Sequence, residues 1–200
     1  MAYMFSGCKI LNQINLSNFN TQNVKNMSNM FSNCQSIEQI NLLNFNTKNV
    51  IDIDYMFSGC ISLNSINLSN FNTQNVKNME HLFSGCKLLK YIDLSNLRIN
   101  KETKMENVIQ GCKSLITLNL SKSNILDNYY IKTKDKIKHA LRLGHLGYPD
   151  LITYEKIEYS NMKDIFNGCN SSISVNLSYC IADNINNASE SFSGINNYKT

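Results

Sequence analysis

Tryptophan is absent from this chain and proline occurs once. No apolar run approaches the ~20 residues needed to cross a bilayer as a helix, so no transmembrane segment is expected. No basic, apolar leader opens the sequence, so a secretion signal is not visible in it. There is no C-x-x-C pair, no histidine at ligand spacing from a cysteine and no phosphate-loop motif, so neither a metal nor a cofactor is expected. The formal net charge of +4 is too small by itself to imply nucleic acid, and no basic–aromatic interleaving points to it.

What the sequence has instead is periodicity. Cysteines stand at evenly spaced positions: Cys8, Cys34, Cys60, Cys86 and Cys112. Cys169 follows after one further period and an insertion, and Ile195 takes the cysteine slot one period later. Seven units therefore begin at Met1, Met27, Ile53, Met79, Met105, Met162 and Ala188. Recurring columns of Met, Phe, Cys, Leu and Ile mean that each unit contributes the same side chains to an interior shared with its neighbours. No unit could bury those faces alone.

Spacing within a unit predicts local structure. In "LNQINLSNF" (11–19), apolar residues at Leu11, Ile14, Leu16 and Phe19 follow the L-x-x-L-x-L pattern, with a short strand at Ile14–Leu16. In "NVKNMSNMFSNC" (23–34), Met27, Met30, Phe31 and Cys34 fall at i, i+3, i+4 and i+7, which predicts a short helix of about two turns. The fold class expected is α/β: a leucine-rich-repeat-type solenoid with one short strand and one short helix per 26-residue turn. Residues 1–200 form one such solenoid, part of a longer array, with an insert at 124–152 between the fifth and sixth repeats. Within the insert, "TKDKIKHALRLG" (133–144) reads as a capped helix with a solvated lysine face.

The repeated cysteine reads as core. It lies on the apolar face with Met and Phe, and isoleucine replaces it at 195. In the sixth unit Cys180 occupies the column of Phe19, Phe45 and Phe71. A nucleophile or ligand position would not tolerate that exchange, whereas a small buried hydrophobe does. Disulfides between units would need sulfurs in adjacent turns to approach closely, and layers of helices stack too widely for that. His81, His139 and His145 accompany no recurrent acid or nucleophile, so no catalytic residue and no enzymatic activity are expected.

Outward strand positions form the candidate binding face. One column holds Asn15, Asn41, Asn67, Asp93, Asn119 and Asn176; the other holds Gln13, Gln39, Ser65, Tyr91, Thr117 and Ser174. Exposed strands need polar residues in any case, and amides can bond along such a ladder. Tyr91 and Asp93 depart from their columns and are the first places to seek a contact. Asp93→Ala is accordingly expected to affect binding rather than stability, and Cys60→Ala the reverse. The seven N-x-S/T matches (Asn15, Asn26, Asn67, Asn119, Asn170, Asn176, Asn187) are what abundant Asn and Ser produce by chance.

The phrases "MFSGC" and "INLSNFNTQNVKNM" resemble the BspA-like leucine-rich-repeat surface proteins of bacteria and protists, whose units have this length. The resemblance covers residues 1–123 closely and 153–195 in weaker form. It implies noncatalytic adhesion or protein–protein contact at a cell surface, with a host or matrix protein as ligand. It does not identify the ligand, because the fold serves many binders. The rival expectation is an intracellular scaffold or regulatory repeat protein with the same fold. A third reading is a fragment of a larger array, whose uncapped ends would promote self-association.

Overall fold

The computed structural model describes residues 1–95, 97–98, 100, 103–121, 168–169, 173–176 and the backbone of 197–199. The insert at 124–152 lies outside the described residues, as do the starts of the sixth and seventh units. The strands are β1 (Ser65–Asn67), β2 (Tyr91–Asp93), β3 (Thr117–Asn119), β4 (Ser174–Asn176) and β5 (Asn197–Lys199). They form one parallel sheet in the order β1-β2-β3-β4-β5. Ile66, Ile92, Leu118 and Val175 stand opposite one another at the strand centres, and all four are buried. Strand pairing thus carries the stack across the long interval between Thr117 and Ser174. The last step, from Ser174 to its partner Asn197, is slightly shorter than the regular period.

The predicted short helix is not formed; among the described residues there is no helix at all. Its place is taken by consecutive turns, and the reason lies in where the amide protons go. In unit 2, Met30, Ser32 and Cys34 donate to carbonyls three residues back, on Met27, Asn29 and Phe31. The alternate amides of Met27, Asn29, Phe31 and Asn33 donate instead to Asp52, at the end of the unit, and to Asp54, Met56 and Ser58 of the next, at 2.7–2.9 Å. A helix would need those amides for its own i−4 carbonyls. Two left-handed residues per unit also interrupt it. Asn29 (φ 56°) and Asn33 (φ 58°) are matched by Tyr55 and Gly59, then by His81 and Gly85. Asparagine and glycine accept this conformation at low cost; tyrosine and histidine do so less readily.

The buried face nevertheless consists of the residues the spacing selects. Met27, Met30, Phe31 and Cys34 are all fully buried, as are Ile53, Met56, Phe57 and Cys60 above them. Phe5, Phe31, Phe57 and Phe83 stack in a file with ring centroids 5.4–5.8 Å apart. That spacing and near-parallel alignment follow from the pitch of a backbone hydrogen-bonded from unit to unit.

Polar side chains close the corners. Thr21, Thr47 and Thr73 are almost fully buried. Thr47 Oγ1 donates to the Asn72 carbonyl of the next unit and accepts from the Asn72 amide at 2.8 Å. Thr21 and Thr73 make the same pair of bonds to Asn46 and Arg98. Each corner thereby satisfies backbone groups that a turn leaves unpaired.

Candidate binding face

Eight of the twelve predicted face residues lie on the sheet. Ser65, Tyr91, Thr117 and Ser174 are paired in one register, and Asn67, Asp93, Asn119 and Asn176 in the next but one. Gln13, Asn15, Gln39 and Asn41 occupy the same columns of units 1 and 2, before β1, and all four are exposed. On the sheet Tyr91 is 53% exposed, the most open large side chain of the set, while Asp93, Thr117 and Asn119 are half-buried.

The Asn/Asp column proves to have work within its own chain. Asn15, Asn41, Asn67, Asp93 and Asn119 each accept, through Oδ1, the amide two residues on, at 2.8–3.1 Å. This is an Asx-turn, and it bends the chain as it leaves the strand. Asp93 serves as well as asparagine because the bond needs only a carboxamide or carboxylate oxygen. The expectation that Asp93→Ala leaves stability untouched is therefore corrected: the substitution removes a 2.8 Å bond to Ser95. Two further asparagine-rich columns make the same turn, Asn20, Asn46 and Asn72, and Asn26, Asp52 and Asn78. The side-chain amides of Asn44, Asn49, Asn70 and Asn75 reach back to carbonyls of the preceding unit. Heavy use of asparagine is thus a structural requirement of this backbone, and its recurrence at fixed places in every unit was the signal for it.

The six described cysteines are free thiols. Cys34, Cys60, Cys86 and Cys112 donate Sγ–H to the carbonyls of Phe5, Phe31, Phe57 and Phe83, at 3.0–3.3 Å. Cys169 repeats the contact with Ile109, at 3.0 Å, across the longer interval. Each of these carbonyls also accepts the amide of its own unit's cysteine. Wide helical layers do not keep the sulfurs apart, as the sequence suggests, since there are no such layers; the thiols are instead aimed at backbone. Burial pushes Cys34 up to about 11 and Cys60 up to about 12. Cys86 and Cys112 are raised well above the ordinary thiol range by the same cause. A thiol so hard to ionise is a poor nucleophile and a poor metal ligand.

On another flank, Asp54 sits with Asp52 and Glu80. Asn78 donates to Asp54 Oδ2 at 3.2 Å, but Oδ1 is buried with no partner. Burial, then the neighbouring Asp52 and Glu80, raises the Asp54 carboxyl to about 6. Tyr55 and His81, the left-handed pair beside them, stack with centroids 4.5 Å apart. Among the described residues no group of three or more His, Cys, Asp or Glu is arranged to hold a metal ion. No helix among them is long and apolar enough to cross a membrane.

Residues 1–122 match the family described as "Mycoplasma protein of unknown function, DUF285". The chain belongs to this family. Neither the curated proteins nor the solved structures contain a match to it. The DUF285 match ends at the point where the regular spacing gives way to the longer interval.

Proposed function

We propose that this DUF285 chain is a leucine-rich-repeat-type solenoid that works as a noncatalytic binding module, contacting another protein at a cell surface. The observation that carries the reading is the sheet register. It sets Ser65, Tyr91, Thr117 and Ser174 side by side as an outward column on a backbone whose own bonds are already made. A regular array of this kind supports many small contacts added along one face. The cysteines support a noncatalytic role, because burial and hydrogen bonding to carbonyls occupy them structurally. The association of DUF285 with BspA-like surface repeat proteins supports the surface location.

Free thiols suit an intracellular scaffold equally well, and one experiment separates the two. Intact source cells are treated with protease, with a cytosolic protein followed as control. Cleavage while the control stays whole is the expected result. Protection until lysis would overturn the surface reading in favour of the intracellular scaffold.

A further inference from the structure

The corner leading into the strand is largely polar in units 2 and 3, where it carries Gln35, Ser36, Glu38 and Gln39, then Ile61, Ser62, Asn64 and Ser65. In units 4 and 5 the same positions carry Lys87, Leu88, Lys90 and Tyr91, then Lys113, Ser114, Ile116 and Thr117. Backbone bonds hold the two corners together. Ser114 donates to the Lys87 carbonyl at 3.2 Å, Ile116 to the Lys90 carbonyl at 3.0 Å, and Tyr91 pairs with Thr117. Leu88, Tyr91 and Ile116 are 50%, 53% and 46% exposed. Lys87, Lys90 and Lys113 are exposed as well, and among the described residues none has an ion-pair partner. Leu43 and Ile51 are also exposed, in other columns; in unit 1 Lys9 and the exposed Ile10 stand in the columns of Lys87 and Leu88, but with Asn12 and Gln13 where unit 4 has Lys90 and Tyr91. Units 4 and 5 thus set three open hydrophobes and three lysines on adjacent corners, where unit 1 has one of each and unit 2 has neither.

We propose that this corner is a docking site for an acidic polypeptide segment bearing apolar side chains, supplied by a protein partner. The inference rests on the protein-binding reading above and narrows it to one place. Charge decides the occupant: three unpaired lysines ask for carboxylates, and the exposed Leu88, Tyr91 and Ile116 ask for aliphatic or aromatic anchors between them. The chain's own insert does not meet that demand, since residues 124–152 hold five Lys and Arg against three Asp. An anionic membrane surface is the poorer fit. Juxtamembrane lysines contribute only ~1 kcal/mol each, and three fall short of stable anchoring.

The test uses the full chain and fluorescence anisotropy. The probe is a labelled peptide of Glu and Asp with spaced Leu and Phe; its counterpart has Lys at every acidic position. The acidic peptide should bind and the basic one should not, with binding weakened by salt as exposed charges are screened. Tyr91→Ser should raise Kd about tenfold, the loss of one aromatic anchor. The triple change Lys87→Glu, Lys90→Glu, Lys113→Glu should abolish binding, and Lys48→Ala, at an exposed lysine of unit 2 outside the face columns, should leave it unchanged. Leu88→Ser, with a melting curve alongside, serves if the triple variant does not fold. Equal binding of both peptides would overturn the proposal, as would an acidic peptide held equally well by Leu88→Ser and the triple variant. Preference for phosphatidylserine vesicles over the peptide, or lysine-dependent self-association in sedimentation, would overturn it in favour of a membrane or a second copy. None of these results depends on where the protein resides, so failure here leaves the protease experiment on cells to decide the broader reading.

Discussion

The turn segment of unit 3, Ile53–Cys60, and the strand corner of unit 4, Lys87–Tyr91, invite comparison. The first follows the repeat closely and is almost wholly committed to the molecule itself: Ile53, Met56, Phe57 and Cys60 are buried and its alternate amides bind the next unit. The second departs from the repeat at Lys90 and Tyr91 and turns both outward. The difference teaches that periodicity within this chain tracks structural duty. Even the polar Asn/Asp column is periodic because it builds turns. Recognition is then better sought where a column is broken than where it is kept.

Substitutions can sharpen or break that contrast, and the largest effect belongs to the regular segment. Phe57→Ala removes the middle of a file of stacked rings, 5.8 Å from Phe31 and 5.4 Å from Phe83. A loss of about 3–5 kcal/mol is expected in urea unfolding, whereas Leu88→Ala in the corner should cost a small fraction of that. Comparable losses at both sites would show the corner to be as structural as the core.

Cys60→Ala comes next. It removes a buried sulfur and its 3.1 Å bond to the Phe31 carbonyl, at a cost of about 1–2 kcal/mol. In the native protein a thiol reagent should label exposed Cys8 promptly and Cys60 only on unfolding. Prompt labelling of Cys60 would contradict its placement in the core.

Asn67→Ala should cost about 1 kcal/mol by removing the 2.8 Å bond to Ser69, while Asn67→Asp should be nearly neutral, as the natural Asp93 shows. If Asn67→Ala left stability unchanged and weakened partner binding, the column would be a recognition surface after all.

The smallest effect concerns pH. The folded Asp54 carboxyl titrates at about 6, above its ordinary value of 3.8, because burial and the carboxylates of Asp52 and Glu80 disfavour its charge. The folded state therefore holds this proton more tightly than the unfolded chain. Asp54 works against folding above about pH 6, and its contribution grows more favourable as pH falls toward 4. Asp54→Asn should stabilise the protein at neutral pH and make little difference near pH 4, a trend that denaturant midpoints across this range would reveal.

The sequence was legible where a unit could be read in isolation. The i, i+3, i+4, i+7 spacing of Met27, Met30, Phe31 and Cys34 identifies the buried face correctly, and the exchange of Cys with Ile195 identifies the cysteines as core material. It misled where the outcome depends on the neighbouring unit. Nothing within 27–34 says that the amides of Asn29 and Phe31 will find Asp54 and Met56 one unit on. Without that competition the same residues make a reasonable helix. The face residues divide in the same way. Tyr91 stands out in its column and is exposed, while the Asx-turns of Asn15 through Asn119 were hidden because an amide turned on its own backbone looks, in sequence, like one offered to solvent. Leu88 and Ile116 were passed over because both fit the apolar composition of their units.

The amides of Ile53, Tyr55, Phe57 and Gly59 find the carbonyls of Asn78, Glu80, Leu82 and Ser84, the same four positions one unit further along that Asp52, Asp54, Met56 and Ser58 offer to unit 2. Among the described residues, each of the first four units thus meets the next as plug to socket, in a standard gauge. Excision of residues 52–77 would bring the donors of Met27, Asn29, Phe31 and Asn33 onto the sockets that unit 3 uses now. A gene encoding such a chain can gain or lose whole layers by slippage between its repeats and still yield a protein whose neighbouring units fit one another. Reach can then change in steps of one layer, while the corner at units 4 and 5 travels intact.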